Sequence, residues 1–172
     1  MLVFGKIKTP LGKMSAFVSD EGLSLLEFCD RKKYDRQISG LKRYFKTEIS
    51  ESEHPLLIQI QNQLNEYFEK KRFIFDIPLN FAGTNFQKSV WEALLEIPYG
   101  STVSYSDVAQ KTGNPEAVRA VAGATGANKI AIIVPCHRVI GKNGTLIGYA
   151  GGLGRKKYLL DIENQQKKNI KK

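Results

Sequence analysis

The chain predicts an α+β fold in two domains, on three observations. Residues 2–29 alternate apolar and polar side chains in short runs separated by tight-turn sequences, the pattern of antiparallel strands. From Tyr34 onward apolar residues recur every three or four positions, the helical period. Between these patterns and a second helical series, residues 78–83 (Pro-Leu-Asn-Phe-Ala-Gly) read as a linker. The domains are therefore expected over 1–82 and 83–172, each large enough for a small core.

In the first domain Val3, Gly5 and Ile7 lie on one strand side, and Thr9-Pro10-Leu11-Gly12 turns the chain. Residues 14–18 form a second strand, Asp20-Glu21-Gly22 a second turn, and 23–29 a third strand. Turns this short require antiparallel neighbours. Residues 34–45 are expected as a helix behind Asp30-Arg31-Lys32-Lys33. A second helix carries Leu57, Ile60, Leu64 and Phe68 as its stripe, with Pro55 near its start. Phe73, Phe75 and Ile77 read as one more strand face. No chemistry is evident here: Cys29 reads as a core residue and His54 as a surface histidine. A zinc site pooling Cys29, His54, Cys136 and His137 has no compact ligand pair, so no metal is expected.

Charge separates the halves. Residues 1–82 carry 13 Lys+Arg against 11 Asp+Glu, a balance of +2, whereas 83–172 carry 13 against 6, a balance of +7. A polyanionic partner for the second half is one reading, and a solvated basic face is the other. No apolar run approaches the ~20 residues of a membrane span. Met1 to Phe4 are too short an apolar stretch for a signal peptide. Two cysteines far apart fit reduced thiols, so a cytoplasmic protein without membrane contact is expected.

The second domain opens with Thr84 and Gln87 at capping-box spacing, followed by the stripe Phe86, Val90, Trp91, Leu94 and Leu95. Ser104 and Asp107 repeat that cap before a helix over 105–111. Gly113 ends it, Asn114 is expected to cap the next helix, and Pro115 to occupy its first turn. This pair is a helix-turn-helix candidate. In its second member Val118, Val121 and Ala122 face the core, while Arg119, Gly123 and Gly126 share the far side. That small-residue face suits either a close DNA backbone beside one projecting cation or plain helix packing. Gly141-Lys142-Asn143-Gly144 signals a hairpin returning through Leu146-Ile147, and 148–152 form a glycine-rich loop carrying Tyr149. A last helix over 153–166 turns Tyr158, Leu159 and Ile162 inward beside Glu163. The basic tail 167–172 is expected to be frayed.

The chemistry concentrates at Ile132-Ile133-Val134-Pro135-Cys136-His137-Arg138-Val139-Ile140. Pro135 fixes φ and biases Val134 to extended geometry. A thiol attacks as thiolate, and an adjacent imidazole can take its proton. In an extended segment neighbouring side chains oppose each other, so contact between Cys136 and His137 needs a bend or a water. Glu163 is a candidate to fix the imidazole tautomer.

These residues resemble the O6-alkylguanine-DNA alkyltransferase family. The likeness rests on Pro135-Cys136-His137-Arg138-Val139 and continues through Ser104-Tyr105, Asn114-Pro115, Arg119-Ala120-Val121, Asn128, Tyr149, Gly151-Gly152, Leu159-Leu160 and Glu163. It spans roughly 84–163 in register. It implies a mostly helical, winged-helix-like domain containing the helix-turn-helix, behind a small α/β domain. It implies Cys136 as alkyl acceptor, His137 as base through a water, Glu163 as its orienter, and Asn128 as the holder of that water and turn. Arg119, with Ala120 and Gly123 on the DNA face, resembles the finger that replaces the flipped nucleotide. Tyr105, Pro135, Val139, Tyr149 and Ala150 resemble the pocket. The implied partner is double-stranded DNA containing O6-alkylguanine, or less readily O4-alkylthymine, met in the minor groove by a monomer needing no cofactor. Relatives often carry Asn-Pro where this chain has Asn128-Lys129, and Ser where it has Ala150. The rival functions are a lesion-binding protein without transfer and a Cys-His hydrolase that turns over.

Overall fold

The computed structural model describes residues 1–164 fully and the helical backbone alone over 165–170. The last helix, expected to end near residue 166, continues in the backbone to Ile170, and of the tail expected to fray only 171–172 lie outside the described residues. The chain forms two compact units, Met1–Ala82 and Gly83–Lys172.

In the first unit β1 (Leu2–Thr9), β2 (Gly12–Ser19) and β3 (Gly22–Phe28) form an antiparallel meander. Val3 lies opposite Val18 and Ile7 opposite Met14, and β2 shifts register against β3 between Phe17 and Val18. α1 (Tyr34–Phe45) packs on β3, and α2 (Pro55–Phe68) on β1 and β2. One core joins Leu2, Phe17, Leu25, Leu41 and Ala82, with Phe4, Ile38, Phe45 and Ile49 packed against it.

β4 (Ile49–Glu51), absent from the sequence reading, pairs parallel with residues 2–4 of β1, giving the sheet order β3-β2-β1-β4. Phe73, Phe75 and Ile77 form no strand. Their segment is held by α2 instead: Gln59 and Gln63 donate to the Asp76 carbonyl, and Gln63 accepts from Asp76 N–H. The buried stripe of α2 is Leu56, Ile60, Gln63, Leu64 and Tyr67, one position away from the expected Leu57 and Phe68. Cys29 is exposed, since it lies just past the end of β3. His54 caps α2, its Nδ1 accepting from Leu56 N–H at 3.2 Å.

The second unit begins with α3 (Asn85–Leu95), where both bonds of the Thr84–Gln87 capping box are made. Val90, Trp91, Ala93 and Leu94 are buried. Phe86 and Leu95, expected on that stripe, stay 38% and 41% exposed. Trp91 donates to the Ala124 carbonyl at 2.8 Å and so ties α3 to the helix that carries Ala124. A side chain at Gly83 would collide with the Trp91 ring. The second capping box, Ser104 with Asp107, opens α4 (Tyr105–Lys111). α5 (Val118–Gly126) starts later than expected and is capped by Ala117 rather than Asn114. The residue before a proline disfavours helical geometry, so residues 114–117 close a turn through Ala117 N–H and the Asn114 carbonyl.

β5 (Val103–Ser104) and β6 (Val139–Ile140) form a two-stranded parallel pair. The turn at Gly141 to Gly144 is made, but no strand returns from it: β6 is taken by β5, and the expected hairpin is absent. α6 (Leu153–Ile170) buries Leu159, Leu160 and Ile162, whereas Tyr158, expected inward, is 40% exposed. Among the described residues no helix is long and apolar enough to cross a membrane, and no three His, Cys, Asp or Glu groups gather to hold a metal.

Candidate active site

The stretch expected as an extended pedestal is a knot of tight turns. Ile132 sits at φ +71°, an unfavourable conformation for a β-branched residue and a mark of local strain. Ile133 N–H bonds the Ala131 carbonyl, and Val134 N–H bonds that of Ile130. Pro135, at φ −81° and ψ 58°, forms an inverse γ-turn closed by Cys136 N–H on the Val134 carbonyl at 2.8 Å. A 3-10 turn over Cys136–Arg138 follows at once. The bend that a Cys-His pair requires is therefore built into the backbone.

Asn128 holds this knot from inside. Its Oδ1 accepts from Ile130 N–H at 2.9 Å, and its Nδ2 donates to the Ile130 and Val134 carbonyls. The same Nδ2 lies 3.2 Å from Cys136 Sγ, a contact that strengthens when sulfur carries charge. Cys136 is 8% exposed, so the residue is mostly dry but not sealed from solvent.

Behind it His137 is fully buried, with Nε2 2.8 Å from Glu163 Oε1. Glu163 also receives Arg138, Nε to Oε2 at 2.9 Å and Nη2 to Oε1 at 3.1 Å, and Gly100 N–H at 3.4 Å. Arg138 is anchored in turn by the Ile97 carbonyl at 2.6 Å and lies over the Tyr99 ring. Burial alone would raise the Glu163 carboxyl. The hydrogen bonds and charges of His137 and Arg138 outweigh it and hold the group at about 2. Burial, opposed by Glu163 and aided by the charges of Arg138 and Lys156, lowers His137 below its ordinary value. His137 is thus neutral at neutral pH, with Nε2–H donating to the ionised Glu163. Its Nδ1 is buried, is left as an acceptor and has no protein partner.

Lys156 was missed by the sequence reading. It is fully buried, donating to the Val139 carbonyl at 2.5 Å and the Ile147 carbonyl at 2.8 Å. Burial lowers its ammonium, and the charge of Cys136 opposes that shift. The signal was available: Lys156, Leu159, Leu160 and Glu163 share one helical face. Tyr105 OH donates to the same Ile147 carbonyl at 3.2 Å. Burial raises the Tyr105 phenol, and so does the charge of Cys136. Pro135 and Val139 are buried, Tyr149 is half-buried and Ala150 is exposed.

Asn128 with Cys136, and His137 with Glu163, thus form two hydrogen-bonded pairs around adjacent residues of one turn, while Arg119, Ala120 and Gly123 lie on the open face of α5. Side chains added at Gly123 or Gly126 would meet nothing within 4 Å, so the small-residue face packs on no helix of the described chain. The site can present a nucleophilic sulfur, accept one proton at His137 Nδ1, and hold a fixed carboxylate behind it.

Residues 85–165 match the family model described as the DNA-binding domain of 6-O-methylguanine DNA methyltransferase. Residues 2–81 match the one described as its ribonuclease-like domain. The methylated-DNA–protein-cysteine methyltransferase of Methanosarcina acetivorans is 42% identical over 165 residues, 94% of this chain and 98% of that one. The chain belongs to the methylated-DNA–protein-cysteine methyltransferase family. The inducible methylated-DNA–protein-cysteine methyltransferase of Bacillus subtilis is 56% identical over 103 residues, 60% of this chain and 58% of that protein. Among solved structures, Mycobacterium tuberculosis OGT in complex with DNA superposes with a TM-score of 0.81 at 38% identity. That match covers 95% of this chain and 94% of the methyltransferase.

Proposed function

We propose that this protein repairs DNA by direct reversal, moving the alkyl group of O6-alkylguanine in duplex DNA irreversibly onto its own Cys136. The observation that carries the reading is a thiol beside the Asn128 amide and a neutral His137 locked by an ionised Glu163. His137 Nδ1 accepts the thiol proton through a water. The thiolate attacks the alkyl carbon, a C–S bond forms as the C–O bond breaks, and the electron pair leaves with guanine. The proton held by His137 then passes to the departing guanine, which leaves neutral. The thioether has no good leaving group, so each molecule acts once. O4-alkylthymine is a weaker substrate of the same site.

Pocket walls come from Tyr105, Pro135, Val139, Tyr149 and Ala150, with Lys156 and Tyr105 bracing the loop at the Ile147 carbonyl. α4 and α5 act as a helix-turn-helix in the minor groove, where Gly123, Gly126 and Ala120 allow close approach. Arg119 fills the stack as the target nucleotide flips out. All these groups belong to one chain, so a monomer suffices. A reducing cytoplasmic location suits a mechanism that needs a free thiol. No cofactor has a place in this reaction. The alternative, a lesion-binding protein without transfer, leaves Cys136 and its buried base without a task.

Nucleoside analysis of a treated O6-methylguanine duplex tests the reading: guanine should reappear, mole for mole with protein. A bound but unchanged lesion would favour the lesion-binding alternative. Arg119→Ala is expected to slow repair of duplex roughly tenfold or more, because extruding a base costs a few kcal/mol. Reaction with free O6-benzylguanine should stay near the wild-type rate. Equal losses on both substrates would remove the finger role.

A further inference from the structure

The first unit has a small net charge that conceals a segregated one. Residues 31–46 hold seven Lys+Arg against one acid, Asp35, a balance of +6. The rest of the unit, with six against ten, stands at −4. Arg31 is tied to Glu27, and Lys42 to Glu48 at 3.0 Å. The other five, Lys32, Lys33, Arg36, Arg43 and Lys46, are exposed and make no ion pair among the described residues.

α1 orders these charges. Ile38, Leu41 and Phe45 face the core. Arg36 and Arg43, seven residues apart, stand in line on the opposite side, separated by roughly 10 Å along the axis. Gly40 lies between them, and a side chain there would meet nothing within 4 Å. Lys33 and Lys32 extend the line at one end and Lys46 at the other.

Several of these choices work against the helix. Lys33 caps α1 without a side-chain bond, where serine or aspartate would supply one. Cations at a helix N-terminus oppose its dipole. Glycine within a helix costs stability, and here no packing needs it. Arg43 and Lys46 suit the helix C-terminus, but Lys32, Lys33 and Gly40 add no stability to the helix, and local rules broken without structural return mark a face kept for binding. That face combines guanidinium forks, which match phosphate oxygens, with a flat gap that admits a sugar–phosphate backbone.

We propose that the outward face of α1 is a second phosphate-binding surface, which takes the backbone of duplex DNA without reading its sequence. The proposal rests on the reading that duplex DNA is the partner. The acidic remainder of the unit repels DNA and so restricts approach to this face.

The test is the salt dependence of binding to an undamaged duplex, comparing wild type with Arg36→Gln/Arg43→Gln/Lys46→Gln. These exposed residues lie outside the site, so the rate with free O6-benzylguanine should not change. Each phosphate contact contributes a log–log slope of about −0.9. The variant should bind at least roughly tenfold more weakly at low salt, with a slope shallower by about 2.7 units if all three contact phosphate. An unchanged slope with affinity within about twofold would overturn the proposal. So would an unchanged slope accompanied by loss of binding to phosphatidylserine vesicles, which would assign the face to a membrane. A wild type that binds no duplex at all would overturn the DNA reading itself.

Discussion

Cys136→Ser is expected to abolish alkyl transfer, lowering its rate by roughly a thousandfold or more, as loss of a sole nucleophile does. Duplex affinity should stay within about threefold of wild type. An ordinary thiol with a pKa of ~8.5 is a few per cent ionised at neutral pH, whereas a serine hydroxyl is essentially never ionised. The Asn128 amide 3.2 Å from the sulfur and the His137 acceptor cannot close that gap. Affinity is spared because Cys136 is only slightly exposed, while Arg119, Ala120 and Gly123 stand open on α5. Single-turnover repair and a binding isotherm on one damaged duplex check both halves. Residual transfer within tenfold of wild type would place the nucleophile elsewhere.

Glu163→Gln is expected to cost about 3 kcal/mol and lower the Tm of the transition it controls by roughly 15 °C. The carboxylate joins Arg138 and His137 in a site where all three are buried. Its removal strands the Arg138 charge, which is worse than never having buried the pair. The pH dependence gives an independent reading. Glu163 is held at about 2, below its ordinary 4.5. A depressed carboxyl contributes stability that is complete above the ordinary value and lost as pH falls toward the folded one. Wild-type Tm should therefore fall steeply below about pH 5, and in Glu163→Gln that segment should flatten. His137, lowered by burial, adds a loss that starts near its ordinary 6.5, and this part should persist in the variant. Repair by folded variant should drop roughly a hundredfold, since glutamine does not enforce the Nε2–H tautomer. An unchanged Tm with an unchanged acid slope would mean that the carboxylate does not hold this cluster.

What the sequence made legible follows how local each signal is. Both capping boxes and the bounds of α1 were readable because their determinants lie within a turn of one another. β4 was not, since three residues become a strand only by pairing with Leu2 to Phe4, distant in sequence. Phe73 to Ile77 look like a strand in isolation, but glutamines of α2 satisfy the backbone there first. The run before Cys136 reads as extended because Ile and Val favour strands, while the structure forces Ile132 to positive φ through bonds from Asn128. Cys136 and His137 could be named because the chain has two cysteines and two histidines, and Glu163 because it stands beside the inward face of the last helix. Lys156 stands on the same face as Leu159 and Glu163, but its basic neighbours Arg155 and Lys157 make that face look solvated, and only its burial sets it apart.

The central claim is that Cys136 takes the alkyl group once and keeps it. Protein at known concentration, mixed with excess O6-methylguanine duplex and analysed by intact and peptide mass, tests it most directly. The account requires one methyl per molecule, on the peptide containing Cys136, with reaction stopping at one equivalent. Restored guanine with unmodified protein would mean turnover and contradict it, and so would a methyl found on Cys29.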